Sequence, residues 1–341
     1  MKYSDIRDSV LAQFACKNGH KVVFYIDGRP GGGKSSVCRE IAAELSRIHN
    51  IPAERIVEFN PSLRESTDIL GLPVMGGDHA KWLPPEEFYR IRKGQGPSIL
   101  IVEELSDASM DLQNPLCRVL LDRHAGNMAL SEELYILASG NRTEDKSGAS
   151  RLSTKLGNRM RCLHFEENLE DWQRWAIKAG INPILRQFIK WRPSLLSDFD
   201  PDRTVNPTPR SWEDVDRIPM TLEPGVFYEH VSGCVGEGAA AEYTGFIRVF
   251  NSLPDLNEII AHPTSAPVPT APDALFAVVA KLISMATPKN FDKLFGYIAR
   301  LSPEFQVKAC RECADANPQI RSCKSWVKFA LANQDLLMGQ V

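Results

Sequence analysis

No stretch of this chain approaches the roughly 20 consecutive apolar residues that a helix needs to cross a bilayer, so no membrane span is expected. Basic charge is not in excess either. Its 40 Lys and Arg stand against 43 Asp and Glu, a formal net charge of −3, which excludes a surface that broadly neutralises phosphates. Nucleic acid as a partner would need a local basic channel that the bulk charge does not support. Internal repeats are missing, and so is a zinc set. Cys310-x-x-Cys313 with Cys323 offers three thiols and no nearby histidine, and positions 310 and 313 share a helix face, where core packing accounts for them. The eight cysteines are scattered, as expected for free thiols in a reducing, cytoplasmic setting. The first residues lack the charged-then-apolar layout of a signal peptide. Asp5, Arg7 and Asp8 among Ile6, Val10, Leu11 and Phe14 read as an amphipathic helix.

What the chain does have is length for more than one core, 341 residues, and a change of character partway. From Lys21 to about Phe165, short apolar runs alternate with helical periods. Strands are predicted at Val22–Ile26, Arg55–Phe59, Ser98–Val102, Leu134–Ala138 and Arg161–Phe165, with a helix carrying Val37, Ile41, Leu45 and Ile48 after the first. Alternating strands and helices imply a mostly parallel sheet covered on both faces. After Phe165 the pattern is helical: Asn168–Gly180, Ile181–Trp191, Pro209–Arg217 behind a Thr208 cap, and Ala239–Phe250. His262–Pro272 reads as an extended proline-rich linker. Beyond it, helices are expected at Leu275–Met285, Phe291–Arg300 and Cys323–Asn333. The expected division is an α/β domain over 1–166 with an insert at about 72–97, a helical lid over 167–252, a linker over 253–272 and a helical region over 273–341.

Between the first strand and its helix lies Gly28-Arg29-Pro30-Gly31-Gly32-Gly33-Lys34-Ser35, followed by Ser36. This satisfies G-x-x-x-x-G-K-[ST] in the strand–loop–helix setting that the motif requires. The glycines let backbone N–H groups turn to phosphates. Lys34 is the candidate for the β- and γ-phosphates and the Ser35 hydroxyl for Mg²⁺, while the following helix N-terminus adds partial positive charge. Nucleotide binding, with ATP and Mg²⁺, is the reading. Ile99-Leu-Ile-Val102 then ends in Glu103 and Glu104. Beside a phosphate loop, one such carboxylate serves a metal's water and the other the attacking water; without it, the pair is only a strand leaving into solvent.

These motifs continue with Tyr135-Ile-Leu-Ala-Ser-Gly-Asn141, Leu156-Gly-Asn-Arg159-Met and Asn206-Pro-Thr-Pro-Arg210-Ser-Trp212. In order and spacing the series resembles the AAA+ ATPases of the MoxR-like group. Asp68-Ile-Leu-Gly71 and Leu169-Glu-Asp-Trp172-Gln-Arg-Trp-Ala176 add to the likeness, which covers about Lys21 to Arg217.

The resemblance implies a P-loop sheet with a helical lid and a hexameric ring. It implies ATP hydrolysis that remodels a protein client, and often a von Willebrand A-type partner. Carried over by position, Glu103 supports the metal with Ser35, Glu104 activates water, and Asn141 is the polar sensor near the γ-phosphate. Arg159 is the finger reaching a neighbouring subunit, and Arg210 is the second sensor on the lid. The family's usual residue at Glu103 is Asp, Pro115 falls where a helix is expected and should kink it, and Arg161 competes with Arg159 as the finger. Taken singly, Asn141 is a turn residue, Arg159 a surface arginine and Arg210 a helix-start cation disfavoured by the helix dipole. Arg90, Arg92 and Lys93 are either a solvated face or a loop that touches substrate. A nucleic-acid motor or loader and a non-hydrolysing assembly scaffold are the two alternative functions.

Overall fold

In the computed structural model, residues 1–145, 152–254 and 256–334 are described; positions 146–151, 255 and 335–341 of the expected segments lie outside the described residues. The chain divides into two compact units, Met1–Asp171 with Phe199–Thr204, and Trp172–Asp198 with the described residues from Val205 on.

The first unit is built on β1 (Val23–Gly28), β2 (Ile56–Phe59), the hairpin β3 (Leu72–Met75) and β4 (Ala80–Leu83), β5 (Ser98–Val102), the short pair β6 (His124–Ala125) and β7 (Met128–Ala129), β8 (Leu134–Asn141) and β9 (Arg161–His164). Five of these strands form one parallel sheet in the order β2-β5-β8-β1-β9. Side chains alternate across a strand, and here both sides are apolar. Tyr25, Leu100, Val102, Ile136 and Ala138 enter one core with Leu112 and Leu116 of the helix Met110–Cys117. Phe24, Ile26, Ile99, Ile101, Tyr135 and Leu137 enter the other. That second core is closed by Ile6, Val10 and Phe14 of helix α1 (Tyr3–Ala15) and Val37, Ile41 and Leu45 of helix α2 (Lys34–His49). The doubly covered parallel sheet of the sequence reading is thus present, with β5 buried throughout and β8 buried as far as Gly140 because both faces carry helices.

Pro115 lies inside the helix Met110–Cys117. The chain keeps coiling after it through a wider i→i+5 turn at Arg118–Asp122, a form that absorbs an interrupted hydrogen-bond ladder. Two features have no counterpart in the sequence reading: the β6–β7 pair between β5 and β8, and the β3–β4 hairpin within the insert, which leaves Leu72, Met75, Trp82 and Leu83 exposed.

In the second unit the described residues are helical or irregular. The lid, the linker and the C-terminal region, separated in the sequence reading, pack as one body. Helix Pro272–Met285 lies against Pro183–Trp191, Glu237–Ser252 and Pro303–Ala316. The proline-rich stretch is tied down as well. Tyr297 Oη donates to Pro267 O at 2.8 Å, Arg300 Nη1 donates to Ala266 O at 2.7 Å, and Ala266 is buried. Phe188 gathers Trp191, Trp212, Tyr243 and Phe246 around it. A buried polar group bridges two helices: the Glu312 carboxylate accepts from both Lys190 and Gln187. Burial pushes the Lys190 ammonium pKa down, and Glu312 opposes that shift.

All eight cysteines are free thiols. Cys310, Cys313 and Cys323 are core residues, and burial holds the Cys310 thiol up at about 12. Among the described residues no cluster of His, Cys, Asp and Glu suits a metal ion, and no helix is long and apolar enough to cross a membrane.

Candidate functional site

The parallel register decides what meets the glycine loop. β1 pairs with β8 so that Gly28 is level with Asn141, and the loop and the end of β8 therefore leave the sheet side by side. Gly33, at φ 115°, turns the chain into α2, a backbone conformation that L side chains rarely adopt. It also caps the helix without a side chain, so nothing at the cap consumes the N–H groups of the first turn. Those groups and the helix dipole favour an anion. At Gly32 a Cβ would lie 2.3 Å from Glu167 Oε1, so a side chain there would require the Glu167 side chain to move.

Lys34 is buried, and its ammonium donates to Gly28 O at 2.9 Å, Arg29 O at 2.6 Å and Asn141 Oδ1 at 3.0 Å. The backbone N–H of Asn141 donates to Ser106 Oγ at 2.8 Å, and that hydroxyl donates to Asp107 Oδ1 at 2.7 Å. Close approach is possible because Gly140 has no side chain: a Cβ there would lie 2.3 Å from Tyr25 Oη and 2.9 Å from Ser106 Oγ. Burial, more than any neighbour, pushes the Tyr25 phenol pKa up, so the phenol stays a neutral hydrogen-bonding group.

Glu103 leaves β5 with its N–H on Phe59 O at 2.9 Å. Its carboxylate Oε1 accepts from Arg39 Nη2 at 2.6 Å, while Arg39 also holds Glu58 through Nε and Nη2 at 3.0–3.2 Å. Glu104 adopts a left-handed backbone, φ 52° and ψ 40°, uncommon for a residue with a side chain and a mark of local strain. Its Oε2 accepts from Asn60 Nδ2 at 2.9 Å and lies 3.1 Å from Ser62 Oγ. Were a divalent cation to accompany a nucleotide on this loop, the Ser35 hydroxyl and the Glu103 carboxylate, one oxygen of which accepts from Arg39, are the hard oxygen donors that would serve it. Such a hard set suits Mg²⁺, held partly through its own waters.

Lys34, Ser35, Glu103, Glu104 and Asn141 all belong to the first unit, on the ends of β1, β5 and β8 and the start of α2. Arg29, Pro30 and Gly31 complete the loop, half-buried, and Ser36 is exposed. Arg159 follows the turn Thr154–Gly157 and is exposed. Arg161 differs: its Nη1 donates to Gln13 Oε1 at 2.7 Å, and its guanidinium lies 5.5 Å from the Phe24 ring centre. Arg210 lies in the second unit, exposed in the first turn of Pro209–Asp216, behind a Thr208–Ser211 capping box. In the basic cluster, Arg92 stacks 3.8 Å from the centre of the Tyr89 ring and Lys93 pairs with Glu132 at 3.0 Å, as in an ordinary surface network.

Residues absent from the sequence reading include Arg39, Asn60, Ser62 and Ser106, which hold the two glutamates and Asn141. Asp145 is another. Just past Asn141 it is buried, with Oδ2 lacking a hydrogen-bond partner among the described residues. Burial raises its pKa, while Arg142, Arg29 and Lys34 oppose the rise. None of these residues stands in a motif.

No family model and no curated protein matches the sequence. Among solved structures, the chain is similar to NtrX from Brucella abortus, at 16% identity over 98% of this chain and 67% of that one, with a TM-score of 0.36. For NtrX in complex with ADP the values are 15%, 98%, 68% and 0.37. A RuvB mutant from Thermotoga maritima is 12% identical over 82% of each chain, with a TM-score of 0.40. At these values the assignment of the site rests on the chain's own geometry.

Proposed function

We propose that this chain is an ATPase of the AAA+ type, resembling the MoxR-like group, which assembles into a ring and couples Mg²⁺-dependent ATP hydrolysis to the remodelling of a protein partner. The observation that carries the reading is the buried Lys34 ammonium on Asn141 Oδ1. It joins the phosphate loop to the strand end where a polar sensor belongs. Lys34 and the N–H groups of the loop bind the phosphates and Asn141 orients the terminal one. Ser35 and Glu103 hold Mg²⁺, which when bound neutralises charge on the phosphate oxygens. Glu104 takes the proton of the attacking water.

Arg159 is what supports the ring in this reading. Both Arg159 and Arg161 are exposed, but Arg161 also donates to Gln13 and lies over Phe24 within its own chain, which favours Arg159 as the residue that reaches a neighbouring copy. A homo-hexamer with a protein client and a von Willebrand A-type partner is the assembly the resemblance supports, and Arg210 on the helical unit is the second sensor. The net charge of −3 favours a protein client over nucleic acid.

The test is phosphate release from ATP with Mg²⁺ present, and binding of labelled ATP, in the parent and in Lys34→Ala. Turnover in the parent and loss of tight binding in the variant are expected. Equal ATP binding by both proteins would refute the phosphate-loop assignment.

A further inference from the structure

Glu103 is reached by Arg39, one turn and a half into α2 from Lys34. The guanidinium lies between two carboxylates from neighbouring strands. Glu58 on β2 takes Nε and Nη2, and Glu103 takes Nη2 at 2.6 Å through Oε1 alone. Arg39 and Glu58 are about half exposed, whereas the Glu103 side chain is 18% exposed. A surface pair of this kind contributes little to stability. What it can do is fix direction, because a guanidinium anchored in a fork to one carboxylate presents its remaining N–H at a set place. A glutamate at this position has one more rotatable bond than an aspartate, and so more ways to point its carboxylate away from a metal's waters. The Arg39 contact restricts that freedom and leaves the second oxygen, Oε2, outside the pair.

We infer that Arg39 is a positioning residue for the Mg²⁺ site: anchored on Glu58, it orients Glu103, so that Glu58–Arg39–Glu103 sets how tightly the cation is held with the nucleotide. The inference rests on the reading of Glu103 as the metal's carboxylate. Partners that orient a metal-supporting ligand typically contribute about 10–100-fold in metal affinity. The dependence on the longer side chain gives a second handle. Shortened to aspartate, residue 103 loses its reach to Arg39, and the two substitutions should not add.

The experiment is a titration of MgCl₂ into protein mixed with a fluorescent ATP analogue, alongside analogue binding in EDTA, which reports the phosphate loop without the cation. Arg39→Ala is expected to raise the Mg²⁺ half-saturation concentration about 10-fold and to leave affinity in EDTA unchanged. Glu58→Gln, which loosens the anchor, should shift it in the same direction by less. In the Glu103→Asp background, Arg39→Ala should change little. Glu103→Gln separates the two readings. If it raises the half-saturation and Arg39→Ala leaves it alone or lowers it, the positioning role is wrong and the metal reading stands. If Glu103→Gln has no effect, the metal reading falls and this inference with it.

Discussion

Asn60 donates through Nδ2 to Oε2 of Glu104 at 2.9 Å, joining the end of β2 to the strained residue that follows β5. The Ser62 hydroxyl lies near the same oxygen as a second donor. The carboxylate assigned as general base is therefore held from outside its own strand. Asn60→Ala should leave ATP affinity intact and lower kcat by about 10-fold, within the range that small misplacements cost. In a Glu104→Gln background the same change should cost nothing further. Steady-state kinetics of the two single variants and the double variant check this, and additive losses would separate Asn60 from the base.

Glu104→Gln keeps shape and hydrogen-bonding reach but cannot take a proton. Turnover should fall by about 10²–10⁴ with ATP binding retained, read from single-turnover rates and labelled-ATP binding. A larger loss of turnover in Glu103→Gln at unchanged ATP affinity would exchange the two roles.

Arg159→Ala should remove most hydrolysis, by about 10³–10⁵ if the guanidinium stabilises phosphoryl charge in a neighbour's site. Arg161→Ala should keep near-parental turnover, since Arg161 is spent on Gln13 and Phe24. Mixing Arg159→Ala subunits with inactive Lys34→Ala subunits, under conditions where labelled subunits are seen to exchange, should restore part of the activity. The phosphate loops of the former then meet the arginines of the latter. No recovery in exchanging mixtures, or full activity of Arg159→Ala alone, would end the shared-site reading.

The Lys190–Glu312 pair offers a stability test away from the site. Glu312 is 3% exposed, so Glu312→Ala leaves Lys190 and Gln187 without their shared acceptor in a dry place. Removing one partner of a buried pair costs roughly 3–5 kcal/mol. Urea unfolding followed by tryptophan fluorescence reports on this unit, because every tryptophan except Trp82 lies in it. Lys190→Met with Glu312→Leu should recover much of the loss. A Glu312→Ala midpoint equal to the parent's would show that the pair contributes nothing.

The strands of the sheet were legible as strands because each is a short apolar run bounded by turn chemistry, and Ser98–Val102 is read residue for residue. The loop was legible for a stronger reason: glycines and a lysine at fixed spacing have one main physical use there. What holds the site was not legible. Asn60 in Asn60-Pro-Ser looks like any turn, and Arg39 looks like a solvated helix residue. Their roles arise from parallel pairing of β2 with β5, which brings together residues far apart in the chain. The β3–β4 hairpin escaped because its apolar residues are exposed and so show no one-sided alternation. The stretch His262–Pro272 reads from composition as an extended linker. Prolines lack hydrogen-bond donors but keep acceptors, and the carbonyls of Pro263 and Pro267 are taken by Arg300 and Tyr297.

That stretch has a consequence for how the helical unit comes apart. Tied to Tyr297 of helix Phe291–Ile298 and leading directly into Pro272–Met285, it should couple the helices before and after it, so that they unfold together. Protease should find no early cut between residues 262 and 272. A chain ended at residue 252 would bare the apolar faces of Pro183–Trp191 and Glu237–Ser252 to water, and would aggregate rather than yield a free-standing lid.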